Sequence, residues 1–241
     1  MPGQWNVLER RLIDLGEERL GEIDRHGIAF AIRSTHLALQ SVCDRVLAID
    51  VARHPDRFAG FAALPMQDPE AACAELTRAV KTLGFKGAMV SGFSQVGDPD
   101  TIIYYDDPIY RPFWKTVADL GVPFYLHPRD PLANRTTFYD GHPWLRGASW
   151  AFGVETAERR FAEHLRSNFY VTTSGNFHTS TLECAIAEMG VDRVLFSVDY
   201  PFEECVDAAG WFDTSEISES DRLKIGRTNA AQLFQLLSVA T

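Results

Sequence analysis

Apolar and polar positions alternate along this chain in two rhythms, one helical and one strand-like. Leu8, Leu12, Leu15 and Ile23 recur at helical spacing and predict an amphipathic helix from Trp5 to His26, with Gly27 as its stop. Ile28 to Ser34 is a short apolar run followed by polar residues, the mark of a buried strand. Leu39, Val42, Val46 and Leu47 mark a second helix, and Phe58 to Leu64 a second strand. Asp68-Pro69-Glu70 then supplies an N-cap, a proline at the first helical position and an acid in the first turn. Ala72, Leu76, Val80 and Leu83 carry that helix to Gly84, a residue suited to the left-handed position past a helix end. The alternation continues with strand Lys86 to Val90, a helix capped by Asp107-Pro108 and ending at Gly121, and strand Val122 to Leu126. A weaker helix is expected over Glu155 to Arg166. Strand Phe169 to Thr173, helix Leu182 to Met189, strand Val191 to Val198 and helix Asn229 to Leu237 complete the pattern.

Apolar strands alternating with amphipathic helices imply a parallel sheet covered by helices. An open doubly wound sheet should carry a glycine-rich turn after an early strand, yet neither GxGxxG nor GxxxxGK[ST] occurs. A (β/α)8 barrel fits better, but two of its eight strands are not visible. One would precede the first helix. The other would lie between Val122 and Phe169, an interval that includes the Pro-, Gly-, Asn- and Trp-rich stretch Pro128 to Phe152. No linker-like segment divides the chain, so residues 1–241 read as one domain.

The charge balance narrows the partners. A formal net charge of -10 argues against nucleic acid, whose phosphates call for clustered Lys and Arg. No long apolar run could span a membrane. The charged N-terminal stretch does not resemble a secretory leader. Cys43, Cys73, Cys184 and Cys205 lie far apart without a CxxC pair, which fits reduced thiols in a cytoplasmic protein.

Parallel α/β folds carry their chemistry where strands end, so the residues at strand ends are the candidates. Strand Val122 to Leu126 runs into His127, strand Val191 to Val198 into Asp199, and strand Lys86 to Val90 into Ser91. His127 and Asp199 would offer a divalent cation one borderline and one hard ligand. The pattern also admits a structural reading. A histidine in such a place is as often a hydrogen-bonding residue, and Asp199 could cap the turn holding Pro201. His26 and His54 fall at helix ends, and no HxH, HExxH or GxSxG motif occurs.

Six segments together resemble a known family and stand in its order. They are Phe61 to Pro69, Gly92 to Gln95, Phe124 to Arg129, Tyr139 to Trp144, Thr172 to Gly175, and Leu195 to Phe202. They resemble the metal-dependent aromatic-acid decarboxylases of the amidohydrolase superfamily, the group that acts on 2,6-dihydroxybenzoate (gamma-resorcylate) and 2,3-dihydroxybenzoate. The resemblance implies an α/β fold, a TIM-barrel-like (β/α)8 domain, and a divalent metal such as Zn, Mn or Mg. It implies non-oxidative release of CO2 from a small aromatic acid, and a dimeric or tetrameric assembly of identical chains. His127 and Asp199 match metal ligands, and Asp199 matches the proton donor. Phe152 and Phe202 match residues lining the substrate ring. Ser91 stands where asparagine is usual in the 2,6-dihydroxybenzoate enzymes.

The chain departs from that family in two places that coincide with the missing strands. The family's first strand, which ends in an acidic residue, would precede this chain. A later strand-helix segment with a Gly-His-x-Gly-Glu motif would fall near Thr156 to Arg160, where Ala157 runs directly into Glu158. A shorter deletion is expected between Leu39 and Arg45. Two other readings stay open: a catalytically inactive paralogue serving as a binding or partner subunit, and a metal-dependent hydrolase of the same superfamily.

Overall fold

The structure is a computed structural model, and it describes residues 7–8, 10–12, 14, 16–34, 40–98, 100–127, 132 and 166–236. Two compact units are distinguished by their internal contacts. One comprises residues 1–31 and 157–241, the other residues 32–156.

The described residues of the 32–156 unit follow the alternation of strands and helices expected of them. Strand β1 (Ala31–Arg33), which begins at the boundary, pairs with β2 (Phe58–Gly60). Helix α2 (Gln40–Arg53) joins them. Helix α3 (Pro69–Leu83) starts where the sequence places it, because the Asp68 carboxylate accepts the Glu70 and Ala71 N–H groups at 3.1 and 3.0 Å. It stops at Gly84, which takes a left-handed φ of 71°. Strand β3 (Ala88–Ser91) follows, then a small antiparallel hairpin of β4 (Ser94–Gln95) and β5 (Ile102–Ile103). The helix expected after Asp107-Pro108 opens as a 3-10 turn, Pro108–Tyr110, and continues as α4 (Arg111–Leu120). Strand β6 (Phe124–His127) pairs in parallel with β3, and an Ala62–Ala88 bridge links the chain just past β2 to β3.

The core of this unit forms where α3 and α4 pack on each other and on β3. Leu76, Phe85, Tyr110 and Phe113 are essentially inaccessible to water. Tyr110 places its ring 5.2 Å from Tyr105 and donates its hydroxyl to the Met66 carbonyl at 2.7 Å, so the buried phenol is satisfied. A second polar anchor joins β1 to α2. Arg33 pairs with Asp50 in the interior, and its guanidinium lies 5.2 Å from the Phe58 ring.

In the other unit, the helix expected from Trp5 to His26 is interrupted. The Asp14 carboxylate accepts the Gly16 and Arg19 N–H groups, and α1 proper spans Glu17–Arg25. A side chain that bonds nearby backbone N–H groups competes with helical pairing, which is why the break falls at Asp14, two residues before Gly16. Strand β7 (Val171–Thr172) runs parallel to β8 (Val194–Leu195), and α5 (Thr179–Met189) connects them. The long strand expected from Val191 to Val198 is shorter than its apolar run, since Val191–Arg193 forms a 3-10 turn. Helices α6 (Cys205–Thr214), α7 (Glu219–Leu223) and α8 (Asn229–Leu233) follow. Leu182, Val194, Phe212 and Ile225 make the core of this unit. Among the described residues the strands form two-stranded pairs, and no closed ring of eight is present. Phe152 and all but the last residue of the Glu155–Arg166 helix lie outside the described residues.

Candidate active site

In the 32–156 unit the carboxyl ends of β3 and β6 lie side by side. Their parallel register pairs Ser91 with His127, so the two candidate residues finish neighbouring strands. Both are half-buried. The loop that leaves β3 is tied back to it: the Tyr105 hydroxyl donates to the Ser91 carbonyl at 2.7 Å and lies 3.5 Å from Ser94 Oγ. Tyr105 is itself buried, so this anchor is fixed by packing as well as by hydrogen bonding.

In the other unit the carboxyl ends of β7 and β8 carry a group of hydroxyls. The main-chain ladder ends with the Thr173 N–H donating to the Leu195 carbonyl at 3.1 Å. Beyond it, Thr173 Oγ1 donates to the Ser197 carbonyl at 2.8 Å and accepts the Ser197 N–H at 2.9 Å. Ser174 Oγ bonds Ser197 Oγ at 2.8 Å, and Thr172 Oγ1 lies 3.3 Å from Ser174 Oγ. None of these hydroxyls announces itself in the sequence. The signal available is only a Thr-Thr-Ser run at one strand end and a serine two residues before Asp199.

Asp199 itself sits in the left-handed region, at φ 76°. That conformation is costly for most side chains, though aspartate tolerates it better than most, and it persists where surrounding structure holds it. Here the Asp199 carbonyl accepts the Phe202 and Glu203 N–H groups at 2.9 and 3.2 Å, closing a turn through a cis Tyr200–Pro201 bond. Asp199 is exposed. The turn's interior is pinned by buried Val198, Pro201 and Cys205. Tyr200 packs its ring against two guanidiniums, Arg19 at 4.8 Å and Arg11 at 5.6 Å, and Arg11 pairs with Glu204 at 2.6 Å. Burial pushes the Tyr200 phenol above its ordinary range, against the pull of those two cations. Phe202 is 60% exposed, so its ring is not part of the core.

The structure therefore joins Ser91 to His127 in one unit and Asp199 to Phe202 in the other. For a divalent cation, an imidazole at the end of β6 and a carboxylate on a held turn past β8 fit the donor chemistry of Zn²⁺ and Mn²⁺ alike. Among the described residues, no group of three His, Cys, Asp or Glu side chains gathers at one point.

The family model for amidohydrolases matches residues 24–236. The chain belongs to the amidohydrolase family. It is 44% identical over 301 residues to a gamma-resorcylate decarboxylase of Rhizobium radiobacter, covering 98% of this chain and 92% of that protein. That aligned stretch is sixty residues longer than the 241 of this chain, so the relative carries positions with no counterpart here. Among solved structures, a 2,6-dihydroxybenzoate decarboxylase complexed with 2,6-dihydroxybenzoate superposes with a TM-score of 0.90. It is 41% identical and the match covers 97% of this chain and 92% of that one. A dihydroxybenzoic acid decarboxylase from Polaromonas sp. JS666, with bound manganese and the inhibitor 2-nitroresorcinol, superposes at 0.88 with 40% identity, covering 97% and 90%. The fold is thus that of the amidohydrolase family.

Proposed function

We propose that this amidohydrolase-family protein is a carboxy-lyase that removes CO2, without an oxidant, from a benzoate carrying a hydroxyl ortho to the carboxylate. The preferred substrate is 2,6-dihydroxybenzoate, ahead of 2,3-dihydroxybenzoate. The observation that carries the reading is near-full-length identity of 43–44% to gamma-resorcylate decarboxylases of several bacteria. That identity favours this reading over a same-superfamily hydrolase and over an inactive partner subunit.

In this reading His127 and Asp199 hold a divalent metal, with manganese favoured by the solved relative that contains it. A divalent metal held there would stabilise negative charge on the substrate's carboxylate and adjacent hydroxyl oxygens. Asp199 carries the proton delivered to the ring carbon that bears the carboxylate. The bond from that carbon to the carboxylate then breaks, its electron pair returns to the ring, and CO2 leaves. Such proton delivery contributes typically about 10²–10⁴-fold. Phe152 and Phe202 flank the substrate ring and exclude water. Ser91, beside His127, presents a hydroxyl where the 2,6-dihydroxybenzoate enzymes usually carry an amide, and so tunes ring substitution.

The same reading takes residues 1–241 as one barrel-like domain. It has no counterpart of the Gly-His-x-Gly-Glu strand-helix segment near Thr156 to Arg160, the protein acting in the cytoplasm as a dimer or tetramer.

A panel of hydroxybenzoates tests the reaction. With Mn²⁺ or Zn²⁺ added, ortho-hydroxylated members release CO2 and a benzoate bearing only a para hydroxyl reacts poorly, since it cannot chelate. Equal rates for ortho and para isomers would refute chelation as the basis of selectivity.

A further inference from the structure

The end of β8 has a peculiarity that the proposed chemistry does not itself require. At Thr173 the chain of β7 turns away: Gly175 takes φ 66°, and the Thr173 carbonyl accepts the Asn176 N–H at 2.9 Å. The Thr173 N–H is already committed to Leu195. Main-chain pairing along this edge therefore ends, yet the segment from Phe196 to Asp199 continues. On one side the Phe196 N–H is bound by the Ile225 carbonyl at 2.9 Å. On the other, the Thr173 side chain does what a neighbouring strand would do. Its single hydroxyl bonds both the N–H and the carbonyl of Ser197. Thr173 is only 6% exposed, so water cannot readily take over those bonds if the hydroxyl is removed.

Two residues further on stands Asp199, and between them Val198 is locked in a buried cluster with Cys205 and Ala208. A fixed Ser197 and a fixed Val198 leave the following turn little freedom. We propose that Thr173 is a positioning residue for Asp199: its hydroxyl, by clamping both polar groups of Ser197, sets where the Asp199 carboxylate stands, with the Ser174–Ser197 hydroxyl contact as a lesser brace. This rests on the reading of Asp199 as a metal-binding, proton-carrying residue. Partners that orient a metal's ligands typically matter about 10–100-fold in metal affinity or activity.

The test compares five variants by Mn²⁺ titration calorimetry, steady-state kinetics on 2,6-dihydroxybenzoate and thermal unfolding. Thr173→Val keeps the shape and loses the hydroxyl; Mn²⁺ affinity and kcat both fall at least about tenfold. Thr173→Ser keeps the hydroxyl and stays within about threefold of the unaltered protein. Asn229→Ala is the structural control. Asn229 is equally buried and clamps the other end of the same strand, donating to the Val191 and Val194 carbonyls at 2.8 Å each. It lowers Tm but leaves Mn²⁺ affinity unchanged. If Asn229→Ala weakens Mn²⁺ as much as Thr173→Val does, the effect is general destabilisation and the inference is overturned. Wild-type Mn²⁺ binding by Thr173→Val overturns it as well. Should Thr173→Val not fold, Ser174→Ala decides: several-fold weaker Mn²⁺ binding sustains the inference, and unchanged binding ends it. Asp199→Asn, measured alongside, separates the two layers. If it binds Mn²⁺ as tightly as the unaltered protein, the reading of Asp199 falls and the inference with it. If it loses Mn²⁺ while Thr173→Val does not, only the inference falls.

Discussion

Replacing Phe202 by alanine should separate kinetics from stability, because of where the structure leaves the ring. Fully burying a phenylalanine contributes roughly 1.5–3 kcal/mol. Phe202 is 60% exposed, which retains about two fifths of that, or about 1 kcal/mol at most. For a chain of this length 1 kcal/mol moves Tm by about 2–4 °C. A core phenylalanine would instead cost about 3–5 kcal/mol, a shift of about 6–20 °C. If the ring flanks the substrate, losing it removes about 1–2 kcal/mol of binding in the transition state, so kcat/KM falls about 5–30-fold. The assay is steady-state decarboxylation of 2,6-dihydroxybenzoate by Mn²⁺-loaded protein, with scanning calorimetry on the same sample. A Tm loss above about 6 °C with unchanged kcat/KM would return Phe202 to a packing role.

Three other outcomes are expected. His127→Ala should lose bound metal, read by elemental analysis after dialysis, and activity with it; retained metal would contradict its assignment as a ligand. Asp50→Asn strips a buried guanidinium of its carboxylate and should destabilise by about 3–5 kcal/mol in denaturant titration, whereas Arg33→Met with Asp50→Leu together should recover most of that loss. Burial raises the Cys205 thiol to about 11, so it stays protonated and slow to alkylate at pH 8 while exposed Cys184 reacts; because the unfolded thiol titrates first, this contribution to stability is complete below about pH 9 and lost as pH rises toward 11.

The helices whose ends carry chemistry of their own were the most legible. Asp68-Pro69 and Gly84 bound α3, and Gly121 ends α4 at φ 62°, because a capping side chain and a left-handed glycine act within a few residues of sequence. Helix α6 was missed. Its buried Cys205, Ala208 and Phe212 do keep helical spacing, but Gly210 and the acids Asp207 and Asp213 blur the apolar stripe. The β4–β5 hairpin was missed because two-residue strands leave no periodicity to read, although Gly97-Asp98 marked its turn. The expectation that Ser91 and His127 end strands holds, while the strand expected to run into Asp199 stops at Leu195, four residues short. Thr173 also ends an expected strand, but its bonding to Ser197 is not legible there, since it depends on which residue of a distant strand comes to lie beside it, 24 residues along the chain.

The reaction proposed for this protein is decarboxylation at a metal-chelated ring. Its most direct measurement is turnover of 2,6-dihydroxybenzoate in D2O by Mn²⁺-loaded protein, following CO2 and the aromatic product together. The expected result is CO2 and resorcinol in equal amounts, with one deuterium on the ring carbon that bore the carboxylate, and loss of both products on chelation of the metal. No CO2 from protein shown to be metal-loaded and folded, or turnover undiminished by chelation, would contradict it.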